Sequence, residues 1–259
     1  MPIKFPTRPG LIAYLTAGDP SLADTYAIAL AAIDAGADVI ELGVPFSDPL
    51  ADGPVIQRAS ERAVARGVRL TDVLALAKDL RKARPAAGLV LFSYLNPVVR
   101  MGLPAFCAAA SVAGVDGVLL TDMIVEEAAE YLAAMHANNL APIFLAAPTS
   151  PDARLAAIAA ASQGFVYAIS RVGITGTQTT IANDAAQLVA RLRPFTEPLD
   201  LPIALGFGIS NAAHIAAVAE FVDAAVIGSA LVALIEQTPP PDAPAAIGRF
   251  IAGLRKEVR

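Results

Sequence analysis

Residues 39–66 read VIELGVPFSDPLADGPVIQRASERAVAR, and three kinds of segment follow one another in them. Val39 to Leu42 is an apolar run broken by a single acid, short enough for a buried parallel strand. Pro45 to Pro54 is too rich in Pro, Asp and Ser for a strand and reads as turns. Val55 to Arg66 restores helical spacing. Strand, polar loop and helix make one βα unit, and the alternation recurs along the whole chain. Strands are expected at Leu11 to Ala17, Leu89 to Ser93, Gly117 to Leu120, Ile143 to Ala146, Phe165 to Ile169, Ile203 to Leu205 and Ala224 to Ile227. Helices are expected at Ser21 to Ala35, Thr71 to Ala83, Pro104 to Ala113, Val125 to Ala137, Asp152 to Ala161, Asp184 to Leu192, Ala212 to Phe221 and Ala245 to Leu254. Eight strands with intervening helices predict an α/β fold, a (β/α)8 TIM barrel, with residues 1–259 as one domain. An open doubly wound sheet is the alternative.

Composition narrows the function. The length, 259 residues, suits one barrel. Hydrophobic residues make up 56% and mean hydropathy is +0.57, yet much of this is Ala. No apolar run reaches the ~18 residues of a spanning helix, so no membrane partner is expected. Met1 to Gly10 carries Lys4 and Arg8 but no apolar core, unlike a signal peptide. The net charge of −5, without a basic cluster, argues against nucleic acid. The lone Cys107 lies in an apolar helical stretch and reads as a small core residue, compatible with a reducing cytoplasm. His136 and His214 sit in separate predicted helices, so neither a metal site nor a cofactor is expected.

In such a barrel, chemistry sits where strands end and loops begin. Glu41 ends the second strand between Ile40 and Leu42. Burying it is costly, and desolvation would raise its pKa, as suits a general acid or base. Pairing with an Arg or Lys from elsewhere is the other reading. Asp48 and Asp52 join the same rim, with turn formation as their plainer role. Thr175-Gly176, Gly206-Phe207-Gly208 and Gly228-Ser229 follow the sixth, seventh and eighth strands and suit a phosphate cradle built from backbone amides and a helix N-terminus. Tyr14, Phe92, Tyr94, Tyr167 and Phe207 would place aromatic rings around a flat substrate. Arg171 to Thr180 exceeds the usual 2–6 residues of a βα loop; with its Gly and Thr content it suggests a lid that could bring Thr175 toward Asp52.

Beyond these physical readings, several stretches are similar to one family. Leu15-Thr16-Ala17-Gly18-Asp19-Pro20 and the run from Glu41 to Gln57 resemble tryptophan synthase alpha subunits, the second nearly residue for residue. Ala147 to Ser150, Gly164 to Tyr167, Ser170 to Gly176 and Gly206 to Ser210 extend the likeness over roughly Leu11 to Ala233. The resemblance implies a lyase that splits indole-3-glycerol phosphate into indole and glyceraldehyde 3-phosphate in tryptophan biosynthesis. Glu41 would match the acid/base and Asp52 the carboxylate that addresses the indole N–H. Tyr167, Thr175, Gly176, Gly206, Phe207, Gly208, Gly228 and Ser229 would match pocket positions. It also implies a pyridoxal-phosphate beta subunit as partner, in an assembly of two alpha and two beta chains. Two features depart from the family: Met1 to Gly10 is too short for the usual helix before the first strand, and no proline stands near Ile124. A stand-alone lyase would use the same residues. A non-catalytic activator of a beta subunit would not need the chemistry. A sugar-phosphate isomerase would share the cradle without needing the Glu41 and Asp52 loop.

Overall fold

The computed structural model describes residues 3–169, 178–206 and 208–256, with the side chains of residues 178–183 left aside. Among the described residues there are nine short strands: β1 (Gly10–Thr16), β2 (Val39–Gly43), β3 (Gly88–Ser93), β4 (Gly117–Leu120), β5 (Ala141–Ile143), β6 (Leu145–Ala146), β7 (Val166–Ile169), β8 (Ile203–Gly206) and β9 (Ala224–Ile227). All pairings are parallel, in the order β5-β4-β3-β2-β1-β9-β8-β7-β6. The two ends of that order are halves of one run of chain. Between them Phe144 accepts a hydrogen bond from the Tyr167 N–H at 3.0 Å. The sheet therefore closes on itself as a (β/α)8 barrel whose fifth strand is split, where the sequence pattern predicts one strand from Ile143 to Ala146.

The helices are α1 (Leu22–Asp34), α2 (Pro54–Ala65), α3 (Leu70–Ala83), α4 (Leu95–Met101), α5 (Leu103–Val112), α6 (Ala129–Ala137), α7 (Asp152–Ala161), α8 (Gln178–Thr196), α9 (Ala212–Val218), α10 (Ser229–Gln237) and α11 (Ala243–Arg255). No single one of them is long and apolar enough to cross a membrane. Side chains alternate across each strand, as the twofold pleat requires. Leu11, Ala13 and Leu15 of β1, and Ile40 and Leu42 of β2, join the outer core against the helices. Ile12, Val39, Val90, Leu119, Ile143, Phe165, Ala204 and Val226 fill the barrel itself. This parity turns Tyr14 and Glu41, which are register partners, into the barrel.

Periodicity alone did not reveal α4. Its first N–H, from Leu95, is capped by the Asp122 carboxylate at 2.7 Å, from the loop after β4. A cap 27 residues away leaves no local signature. Helix α8 also begins six residues before the expected Asp184, because the β-branched Thr179, Thr180 and Ile181 obscure its start. The lid expected at Arg171 to Thr180 lies outside the described residues up to position 177.

The bottom of the barrel is closed by residues ahead of β1. Ile3 is buried among the interior residues, and the Phe5 ring packs on Phe165 with centroids 6.1 Å apart. Around this plug three aspartates repeat one arrangement. Asp38, Asp116 and Asp223 each immediately precede a strand. Each accepts a backbone N–H at 2.8 Å from the start of the neighbouring strand: Leu11, Leu89 and Ile203 respectively. Each also binds an arginine, Arg255, Arg81 or Arg193, at 2.8, 2.5 and 2.6 Å. The carboxylates are buried, but their charge is matched and their oxygens are used.

Candidate active site

The opposite end is built differently. Glu41 is fully buried in β2, and neither carboxylate oxygen has a hydrogen-bond partner among the described residues. Among the described residues, no arginine or lysine bonds to this acid. Burial alone pushes its pKa up to about 8. A carboxyl group in this state is mostly protonated at neutral pH and can give up its proton with modest help. It therefore meets the first requirement of a general acid/base.

Asp52 lies in the loop between β2 and α2, half-buried. Its Oδ2 accepts a hydrogen bond from the Tyr94 hydroxyl at 3.0 Å. The Tyr94 oxygen in turn accepts the Ala51 N–H at 2.9 Å, and the Gln57 amide donates to the Asp52 carbonyl at 2.8 Å. Burial raises the Asp52 pKa to about 6, partly opposed by the Tyr94 hydrogen bond. Both carboxyl groups lie near Tyr14 and Tyr167, whose hydroxyls are held well above the ordinary tyrosine range by burial and by those charges.

A cavity of about 150 Å³ opens beside these groups. It is lined by Tyr14, Phe92, Tyr167, Gly206, Gly208, Gly228 and Ser229, all anticipated from the sequence. Its other walls are Ile56, Ile209 and Val226. Those apolar residues carried only the signal of ordinary core positions. Tyr14 and Phe92 meet edge to face, with centroids 5.2 Å apart. Tyr94 was expected to line the pocket but instead packs on Phe46 and holds Asp52. Thr175, Gly176 and Phe207 lie outside the described residues. Glu41 and Asp52 do not line it; they stand near its tyrosines, Tyr14 and Tyr167.

The glycines serve distinct purposes. A Cβ at Gly206 would strike the Tyr167 ring, so that glycine makes room for the aromatic wall. Gly43, unremarked in the sequence reading, does the same for the Tyr14 hydroxyl. At Gly228 a Cβ would only make ordinary contact with Tyr14 and Ile56, at 3.7 and 3.9 Å, so no wall residue requires glycine there. Gly228 is the N-cap of α10, and Ser229 is its first residue. The unpaired N–H groups and positive dipole end of that helix therefore face the cavity, which suits an anion. Gly208 has φ +39°, in the left-handed region that favours glycine. Among the described residues no cluster of His, Cys, Asp and Glu is arranged to hold a metal.

Comparison with known proteins agrees with this architecture. The family model for the tryptophan synthase alpha chain matches residues 3–249. The tryptophan synthase alpha chain of Cupriavidus metallidurans is 49% identical over 96% of this chain and 93% of its own length. That of Solibacter usitatus is 51% identical over 91% and 86%. Among solved structures, tryptophan synthase from M. tuberculosis superposes with a TM-score of 0.84 at 38% identity, covering 96% of this chain and 93% of that one. A tryptophan synthase complex from Pyrococcus furiosus gives 0.86 at 34% identity, covering 96% and 99%. With the family model matched over nearly its full length, relatives near half identity and the same barrel, the chain belongs to the tryptophan synthase alpha chain family.

Proposed function

We propose that this chain cleaves indole-3-glycerol phosphate to indole and glyceraldehyde 3-phosphate, with Glu41 as the proton carrier. The observation that carries the assignment is the fully buried, unpartnered carboxyl group of Glu41 beside an aromatic cleft that ends at a helix N-terminus. The reaction is a retro-aldol cleavage. Indole C3 accepts a proton, giving an indolenine cation. The hydroxyl on the adjoining carbon loses its proton, the C–C bond breaks, and its electron pair restores the aromatic ring. The net change moves one proton from the hydroxyl to C3, which a single carboxyl group can relay. Asp52 stabilises the positive charge that develops on the ring nitrogen. Tyr14, Phe92 and Tyr167 hold the indole, while Gly208, Gly228 and Ser229, with Thr175, Gly176 and Phe207, take the phosphate end. The phosphate is remote from the breaking bond, so its binding energy positions the reacting end.

A pyridoxal-phosphate beta subunit, in a complex of two alpha and two beta chains, is the partner this reading implies. Exposed Leu50, Val99 and Ile124 follow three consecutive barrel strands on the same end and offer it apolar contact. Residues 1–259 act as one barrel domain, and the cytoplasm is the expected setting. The test is to incubate the purified chain with indole-3-glycerol phosphate and assay indole, with and without a beta subunit. Indole formation that the beta subunit stimulates is the expected result. Stimulation of a beta subunit without any indole would leave an activator in place of a lyase.

A further inference from the structure

Two helices meet at the cleft. Helix α10 presents Gly228 and Ser229, and α2, which begins two residues after Asp52, contributes Ile56, whose Cδ1 lies 3.9 Å from where a Gly228 Cβ would stand. Near the cleft they meet through apolar packing of Tyr14, Ala59 and Val232, with Ile56 against them. Farther along, the contact is ionic. Glu236, near the end of α10, accepts hydrogen bonds from two arginines one turn apart on α2. Arg58 reaches it at 3.0 and 2.7 Å, and Arg62 at 2.7 Å. Arg62 also grips Asp19, which is buried in the loop after β1, through two bonds at 2.8 and 2.7 Å. One guanidinium on the helix following β2 thus joins the loop following β1 to the helix following β9.

We infer that Glu236, through Arg58 and Arg62, is a positioning residue that fixes the spacing between the phosphate-holding and indole-facing ends of the cleft. It touches neither end and binds no ligand. Its influence is on how well one rigid ligand spans both. A ligand joining two groups gains from the fixed distance between their sites, and the gain falls when that distance varies. The inference rests on the cleft reading given above, in which one end takes phosphate and the other indole.

The experiment compares three probes on wild type and on Glu236→Gln: indole alone, inorganic phosphate alone, and indole joined to a phosphate by a propyl chain. Wild type should bind the joined probe far more tightly than either part. Glu236→Gln should bind each part within about twofold of wild type. It should bind the joined probe about three- to tenfold more weakly, the scale expected when two partly exposed ion pairs are lost. A general loss of structure would weaken all three probes together and lower the thermal midpoint in step. That outcome, or an unchanged affinity for the joined probe, would overturn the clamp alone. Absence of any advantage for the joined probe in wild type would overturn the cleft reading and the clamp with it. Arg58→Gln, which leaves Arg62 to hold both Asp19 and Glu236, should show the same selective loss at smaller size.

Discussion

The two ends of the barrel treat buried carboxylates in opposite ways. At the bottom, Asp38, Asp116 and Asp223 each have an arginine and a backbone N–H to receive their charge. At the top, Glu41 has no partner among the described residues and Asp52 only a tyrosine hydroxyl. Both sets are acids on or beside barrel strands, so residue type alone does not separate them. What separates them is the supply of cations. A matched carboxylate has its charge met by a guanidinium and a backbone N–H, and removing the guanidinium is costly. An unmatched one is costly to ionise and keeps its proton available near neutral pH. The contrast marks one end of the barrel as scaffold and the other as reactive.

The largest effect should follow from breaking the reactive side. Glu41→Gln keeps the shape of the residue but cannot relay a proton, so turnover should fall by ~10²–10⁴-fold with little change in substrate binding. Stability should move the other way. The folded pKa of Glu41, about 8, lies above its ordinary value of 4.5. The neutral form thus favours folding. That contribution is complete below pH ~4.5 and is lost as pH rises toward ~8, by up to ~1.4 kcal/mol per pH unit. Denaturant melts of wild type and Glu41→Gln across this range should diverge, with the variant losing less stability. Parallel pH profiles would mean that Glu41 finds a charge partner in solution.

Breaking the bottom should cost stability and spare chemistry. Arg193→Met removes the guanidinium closest to Asp223, leaving that buried carboxylate with Arg8 at 3.4 Å and the Ile203 N–H. A loss of ~3 kcal/mol in unfolding free energy is expected, toward the lower end for a broken buried pair. Indole formation per folded molecule should stay near wild type. A variant as stable as wild type but slow in turnover would reverse the assignment of the two ends.

The smallest effect sharpens the contrast within the top. Tyr94→Phe removes the hydroxyl that donates to Asp52 and accepts from Ala51. The loss of one such hydrogen bond is worth ~1 kcal/mol, or roughly fivefold in kcat/KM. The direction of the pH effect follows from the cause of the shift. The Tyr94 bond lowers the Asp52 pKa, so its removal raises that pKa above about 6. The acid limb of the pH–rate profile should therefore move to higher pH. A limb that stays in place would mean that another group sets it.

The amino-acid sequence by itself determined the alternating strands and helices, the placing of Glu41 within an apolar strand, and the glycines that follow strands at Gly206 to Gly208 and Gly228. These are local properties, carried by spacing and by residue type. Only the tertiary structure decided the rest, because each remaining feature depends on a partner distant in the chain. Helix α4 begins where Asp122 caps Leu95. The Tyr94 hydroxyl holds Asp52, 42 residues away. Gly43 matters because the Tyr14 side chain crosses above it. The difference between Asp223, matched by Arg193 and Arg8, and Glu41, matched by nothing among the described residues, was likewise invisible in the sequence. An acid next to apolar neighbours reads the same in either case, and closure of the barrel alone settles which arginines lie within reach.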